Sequence, residues 1–173
     1  AMDIDGALVI PANNATSISG TGSVNNYIGG PDRWNVISGN GGEGVGIYGA
    51  GTDGTELYGN IIGLGRDGST VIANQVGIAI NGADNTLIGG GDPAYRNVIS
   101  GNTFDGVIVN FGATNTQVVS NYIGTDITGA LDRGNGNTGV LVANGSDGTI
   151  IGGAAAEFRN VISGNNFGGN VLI

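Results

Sequence analysis

The sequence predicts an all-β chain wound into a parallel β-helix of five to six coils, each of roughly 30 residues with three short strands. Three observations carry that prediction. The hexapeptide Asn-Val-Ile-Ser-Gly-Asn occurs at Asn35–Asn40, Asn97–Asn102 and Asn160–Asn165, spaced by 62 and then 63 residues. A glycine followed by alternating aliphatics recurs twice per interval, at Gly44–Ile47, Gly77–Ile80, Gly106–Val109 and Gly139–Val142, so the unit is half the interval. One Asn closes each unit, at Asn40, Asn74, Asn102, Asn135 and Asn165, at intervals of 34, 28, 33 and 30 residues. Repeats of this size with short Val/Ile-rich strands pair each strand with its own copy in the next coil.

The elements follow in order around a coil. In the Gly-aliphatic-x-aliphatic strand, Val45/Ile47, Ile78/Ile80, Val107/Val109 and Val140/Val142 share one face, because strand side chains alternate. These are the expected core columns. Gly169–Ile173 reads as a fifth copy. The outward middle positions are Gly46, Ala79, Ile108, Leu141 and Val171, a stripe that either meets a covering partner or is tolerated by the sheet. A five-residue turn comes next: Gly22–Asn26, Gly51–Thr55, Gly82–Thr86, Gly112–Thr116 and Gly145–Thr149. Its fourth position is always Asn or Gly, the residues that most readily accept a left-handed backbone, so φ > 0 is expected there.

A second strand ends at Ile28, Ile62, Ile88, Ile123 or Ile151. A third runs into the closing Asn, where side-chain amides one rung apart can hydrogen-bond into a ladder. Ala7–Ile10 reads as the tail of a preceding coil and Ser17–Ser19 as a degenerate opening strand. No linker or shift of composition divides the chain, so residues 1–173 are expected to form one β-helix domain. The pattern starts and stops in mid-repeat without a capping unit, as in a piece of a longer array whose neighbouring repeats would be its partners.

Composition excludes several functions. Five Arg, no Lys and fourteen acids give a net charge of −9, against nucleic acid and anionic membranes as partners. There is no Cys and no His, which removes disulfides, thiolate chemistry, Ser-His-Asp triads and most transition-metal sites. No stretch reaches the roughly 20 apolar residues of a membrane span.

Two loop classes alternate: Gly63–Thr70 and Gly124–Leu131, then Pro31–Trp34, Gly91–Arg96 and Ala154–Arg159. The second class joins an acid, an Arg and an aromatic in Asp32/Arg33/Trp34, Asp92/Tyr95/Arg96 and Glu157/Phe158/Arg159. Trp34, Arg33, Tyr95, Arg96, Phe158 and Arg159 are therefore candidate ligand residues, the aromatic stacking on a sugar ring and the Arg gripping a carboxylate. The alternative, preferred here, is a local acid–Arg pair with the aromatic sealing the loop. Asp53 and Asp84 share the third turn position on adjacent coils and form a candidate Ca²⁺ pair, against their ordinary role as turn residues. Thr125–Gly129 resembles a ligand loop, but its copy places Gly65 opposite Asp126, which does not support a metal role.

The succession of Gly-Val-x-Ile, Asn-x-x-Ile-Gly-Gly and Arg-Asn-Val-Ile-Ser-Gly-Asn resembles the right-handed parallel β-helix repeats of the pectin-lyase-like superfamily. More narrowly, it resembles tandem repeats of large secreted or surface-attached bacterial proteins. The resemblance covers Ala7–Ile173. It implies the fold and an extracellular or cell-surface bacterial setting, and it implies no single activity, because that fold hosts lyases, hydrolases, epimerases, adhesins and phage fibres. Lyases of the group use a Ca²⁺-binding carboxylate cluster with a Lys or Arg base, whereas here the acids are dispersed over turns. The resulting expectation is a non-catalytic, adhesin-like spacer without a cofactor. The alternatives are a polysaccharide-binding or polysaccharide-degrading protein and a Ca²⁺-stabilised module. Carbohydrate or another surface protein is the expected partner.

Overall fold

The structure, a computed structural model, describes residues 8–10, 16–19, 23–31 and 33–173. Asp32, Gly22 and Ala7, which the sequence reading invoked, lie outside the described residues. In chain order the strands are β1 (Leu8–Ile10), β2 (Thr16–Ser19), β3 (Tyr27–Gly29), β4 (Asn35–Ile37), β5 (Glu43–Tyr48) and β6 (Glu56–Tyr58). There follow β7 (Ile61–Ile62), β8 (Val76–Asn81), β9 (Leu87–Ile88), β10 (Val98–Ile99), β11 (Val107–Asn110) and β12 (Gln117–Val118). The last are β13 (Tyr122–Ile123), β14 (Thr138–Val142), β15 (Ile150–Ile151), β16 (Val161–Ile162) and β17 (Gly169–Leu172). Two 3₁₀ turns, Pro93–Tyr95 and Ala156–Phe158, are the only helical pieces among the described residues.

These strands form three sheets, each pairing every coil with the next in parallel. The first sheet runs β1-β4-β7-β10-β13-β16, the second β2-β5-β8-β11-β14-β17 and the third β3-β6-β9-β12-β15. The chain is a parallel β-solenoid of about five turns of about 31 residues. Alternation within strands sets its core, because β-branched side chains pack well on a pleated surface. Ile37, Ile62, Ile99 and Ile123 stack in register from the first sheet, Val45, Ile78, Val107 and Val140 from the second, and Leu57, Ile88 and Val118 from the third. All these residues are fully buried in one cluster. At the five turns the fourth position lies at φ 55° (Asn25), 69° (Gly54), 55° (Asn85), 55° (Asn115) and 64° (Gly148), as the Asn/Gly pattern predicts.

The glycine at the head of the aliphatic run in β5, β8, β11 and β14 has a different reason. Gly44, Gly77, Gly106 and Gly139 do not need a left-handed φ. A methyl group on Gly77 would stand 2.4 Å from the Gly106 carbonyl oxygen, 2.7 Å from Ile99 Cγ2 and 3.0 Å from Asn102 Nδ2. Only hydrogen fits between a coil and its neighbour at this corner.

Two asparagine ladders run along the stack. The expected one is present: Asn40, Asn74, Asn102 and Asn135 each donate Nδ2–H to Oδ1 of the next Asn at 2.8–3.0 Å, ending on Asn165. A second ladder joins Asn35, Asn60, Asn97, Asn121 and Asn160, at 2.8, 3.0, 3.0 and 3.4 Å. Asn97 shows the full pattern. Its Oδ1 accepts the N–H and Nδ2–H of Asn60, its own N–H and Nδ2–H go to Asn121 Oδ1, and the other Nδ2–H goes to the Leu57 carbonyl at 2.9 Å. The amide is saturated in a site with no water access.

The hexapeptide now reads letter by letter. Its first Asn belongs to one ladder and its last to the other. Ile37 and Ile99 face the core, while Val36 and Val98 face outward under a second apolar cluster. The Ser38 and Ser100 hydroxyls donate to the carbonyls of Leu64 and Thr125 in the next coil, at 2.6 and 2.7 Å. The Gly39 and Gly101 N–H groups donate to Ile72 and Arg133 carbonyls of the same insertion loops. The phrase recurs every second coil because it docks the loop of the coil that follows.

Three expectations are corrected. Ile62 and Ile123 are first-sheet residues, in register with Ile37 and Ile99, and do not belong with Ile28, Ile88 and Ile151. Leu57 and Val118 fill the third-sheet slot in those coils. The Ile-Gly dipeptide occurs at two corners because the long connection alternates between them. Likewise, no third strand leads into Asn74 or Asn135; an insertion loop does. Finally, Leu172 and not Val171 continues the outward stripe, since Val171 pairs with Val140 and Leu172 with Leu141. Gly169 stands opposite Thr138, one residue out of the expected register.

Candidate binding site

Long loops flank the first sheet on both sides, in alternate coils. Residues 30–31 and 33–34, 90–96 and 153–159 enter it from the third sheet, and residues 63–73 and 124–134 leave it toward the second. The two insertion loops share a backbone despite different sequences. Gly65 N–H donates to the Thr70 carbonyl at 2.7 Å, and Asp126 N–H donates to the Leu131 carbonyl at 2.9 Å. Each is tied by its own carboxylate. Asp67 accepts from the Thr70 hydroxyl and the N–H groups of Thr70 and Ser69, which lower its pKa to about 2. At Asp126 burial pushes the pKa up, but hydrogen bonds from the Thr128 hydroxyl and the Leu131 and Ala130 amides outweigh it and the net shift is downward. Asp126 thus organises its loop, as Asp67 does from a position two residues later.

The insertion loops also touch each other across the intervening coil. Ile127 N–H donates to the Gly68 carbonyl at 2.9 Å, and Arg133 donates through Nε to the Ser69 carbonyl and through Nη2 to its hydroxyl. Beneath them the outer face of the first sheet is apolar. Val36, Ile61, Leu64 and Val98 are buried there, with Trp34 and Tyr122 packed against them.

A cleft of about 300 Å³ opens on this face. Ile61 and Val98 belong to the sheet, Pro31 and Trp34 to one incoming loop, Pro93 and Arg96 to the next, and Arg66 and Ile127 to the two insertion loops. The Arg66 guanidinium lies 5.9 Å from the Trp34 ring centroid and the Arg96 guanidinium 4.2 Å from that of Tyr122, both in cation–π range. The Nε–H of Arg96 also donates to the Ser120 carbonyl at 2.9 Å, so its plane is fixed. Beside the cleft, a trough of about 620 Å³ is lined by Tyr27, Tyr58, Tyr95, Arg33 and Pro31. The Tyr58 and Tyr95 rings are 4.8 Å apart and tilted by 58°. Burial, a hydrogen bond to Glu56 and the charge of Glu56 all raise the Tyr58 pKa.

The sequence candidates divide accordingly. Trp34 and Arg96 meet at the cleft, and Arg33 and Tyr95 line the trough. Phe158 and Arg159 sit on the next incoming loop, where the Ser120 hydroxyl donates to the Glu157 carbonyl and the Phe158 ring lies against Gly91. Asp92 caps its own 3₁₀ turn through the Ala94 N–H at 2.8 Å. Asp53 and Asp84 are adjacent, but each spends an oxygen on the backbone of the following coil: Asp53 on Asp84 N–H at 3.0 Å, Asp84 on Thr114 N–H at 2.7 Å. Among the described residues no group of three or more acids stands together in a way that could hold a metal ion. Nor is any helix there long and apolar enough to cross a membrane.

Ile61, Val98, Arg66 and Ile127 were missed as lining residues. One signal was available: Asn-Val-Ile and Asn-Ile-Ile are apolar at both positions after the Asn, so the outward face had to be covered. Comparison with protein-family models, with curated proteins and with solved structures finds no match to this chain.

Proposed function

We propose that this chain is a non-catalytic solenoid module, a stiff scaffold that presents loops from one face, in a secreted or cell-surface bacterial protein of adhesin-like type. The observation that carries the reading is the pair of asparagine ladders running from coil to coil beside three continuous parallel sheets. Each laddered corner is hydrogen-bonded to the next coil through its side-chain amide, which favours stiffness along the axis over a hinge. Among the described residues the carboxylates stand on separate turns and loops with no group of three together, which is in keeping with this reading. A relation to the pectin-lyase-like superfamily remains part of this proposal, supported by the three-sheet parallel architecture. The test is a turnover assay on acidic and neutral polysaccharides, run alongside single-molecule extension. No product and a high-force, coil-wise unravelling are expected; release of unsaturated or reducing sugars would exclude the reading.

A second reading, polysaccharide binding, is favoured by one observation, the three tyrosines of the trough, which sit on successive coils. Retardation in gels containing polysaccharide, abolished in Tyr58→Ala, would establish it.

A further inference from the structure

The cleft on the first sheet has a composition that a scaffold does not require. The chain has fourteen acids and five arginines, yet no Asp or Glu is among the described residues lining the cleft, while Arg66 and Arg96 both are. The rest of the lining is mostly apolar, with Ile61 and Val98 from the sheet and Pro31, Trp34, Pro93 and Ile127 from the loops. Its described side chains offer N–H donors, from Arg66, Arg96 and the Trp34 indole, but hardly any acceptor. Asn60 is the one amide in the lining, and it is spent on Asn35, Ile28 and Asn97 at 2.8, 2.9 and 3.0 Å.

That accounting selects among ligands. A sugar would bring several hydroxyl protons to a lining whose described side chains offer donors but no free acceptor, and each proton buried without a partner weakens binding. An anion carried on an apolar body matches both halves of the cleft. Guanidinium groups bind carboxylates through a planar fork, and aliphatic and aromatic walls favour burial of a hydrocarbon body. Arg96 is held in place for this by its bond to the Ser120 carbonyl and its stack on Tyr122. A volume of about 300 Å³ lies at the small end of ligand sites.

We propose that this cleft binds a small carboxylate carried on an aromatic or branched aliphatic body, with Arg96 taking the carboxylate and Ile61, Val98 and Trp34 taking the body. Trp34 is the only tryptophan in the sequence, so its fluorescence reports on the site directly. The protein is titrated with phenylacetate, with neutral phenylacetamide and with galacturonate, exciting Trp34 alone. A saturable change with phenylacetate at a Kd on the order of 1 mM is expected. Binding of phenylacetamide and galacturonate should be weaker by about tenfold or more. Arg96→Gln should lose phenylacetate binding, and Arg96→Lys, which keeps the charge but not the fork, should weaken it less; circular dichroism checks that both fold. Equal binding of the neutral amide or of galacturonate would overturn the proposal. So would the absence of saturation with phenylacetate, or undiminished binding in both Arg96 variants.

Discussion

Shifting the chain by one hexapeptide interval superposes its interior on itself and leaves its exterior mismatched. Inside, Ile37 and Ile62 become Ile99 and Ile123, and Asn35 and Asn60 become Asn97 and Asn121. Outside, at equivalent places on the same sheet, Trp34 becomes Arg96, Ile61 becomes Tyr122 and Arg66 becomes Ile127. The cleft lies between the two copies, with Trp34, Ile61 and Arg66 from one and Arg96, Val98 and Ile127 from the other, where the Tyr122 ring packs beneath Arg96 and against Gly129. The difference is a matter of neighbours. A core or ladder residue contacts its copies above and below, so a change in one coil strains two others. An outward residue packs against loops that themselves differ from coil to coil, so it varies at less cost to the stack.

If that is right, the largest effects come from the ladder. Asn97→Ala removes the acceptor of the buried Asn60 N–H and Nδ2–H and one of the two donors to the Leu57 carbonyl, which keeps the Gly89 N–H. At about 1–3 kcal/mol for each stranded group, a loss of roughly 3 kcal/mol or more is expected in chemical denaturation. Asn115→Ala, on an exposed turn, is the comparison and should cost far less, chiefly through its φ of 55°. Next comes Gly77→Ala, which forces a methyl against the Gly106 carbonyl; overpacking of this kind costs about 1–3 kcal/mol.

Acid should loosen the outside before the inside. The lowered carboxyls of Asp67 and Asp126 stabilise the insertion loops above the ordinary carboxylate range. That contribution falls away below about pH 4, and for Asp67 is lost as pH drops through about 2. Amide exchange of Ser69, Thr70, Ala130 and Leu131 should accelerate in that window while the ladder amides stay protected. The smallest effect expected is a gain. The Thr86 hydroxyl is fully buried without a hydrogen-bond partner, so Thr86→Val should be neutral or stabilising by up to about 1 kcal/mol in the same denaturation assay.

The sequence exposed the interior far better than the exterior, for the same reason. Five closing asparagines at near-equal spacing announce a ladder, and the Asn/Gly turn position announces its φ. The second ladder was hidden although it uses the first letter of the hexapeptide. Asn35, Asn60, Asn97, Asn121 and Asn160 are 25, 37, 24 and 39 residues apart, because the long loop falls alternately on either side of them. The same alternation put Ile62 and Ile123 in the wrong column. At the cleft, Trp34 and Arg96 stood out as loop aromatics and cations. Arg66 and Ile127 did not, because their contribution depends on two insertion loops meeting across a coil, a distance no local motif encodes.

The most direct measurement of the ladder account is hydrogen exchange at the backbone amides of Asn60, Asn97 and Asn121. These lie at corners, and each donates to a side-chain oxygen one coil away, at 2.9, 3.1 and 2.8 Å. A stack held by its ladders protects them as strongly as the strand amide of Ile78, and Asn97→Ala speeds exchange at Asn60, the amide whose acceptor it removes. Exchange at the rate of ordinary turn amides, unaffected by that substitution, would contradict it.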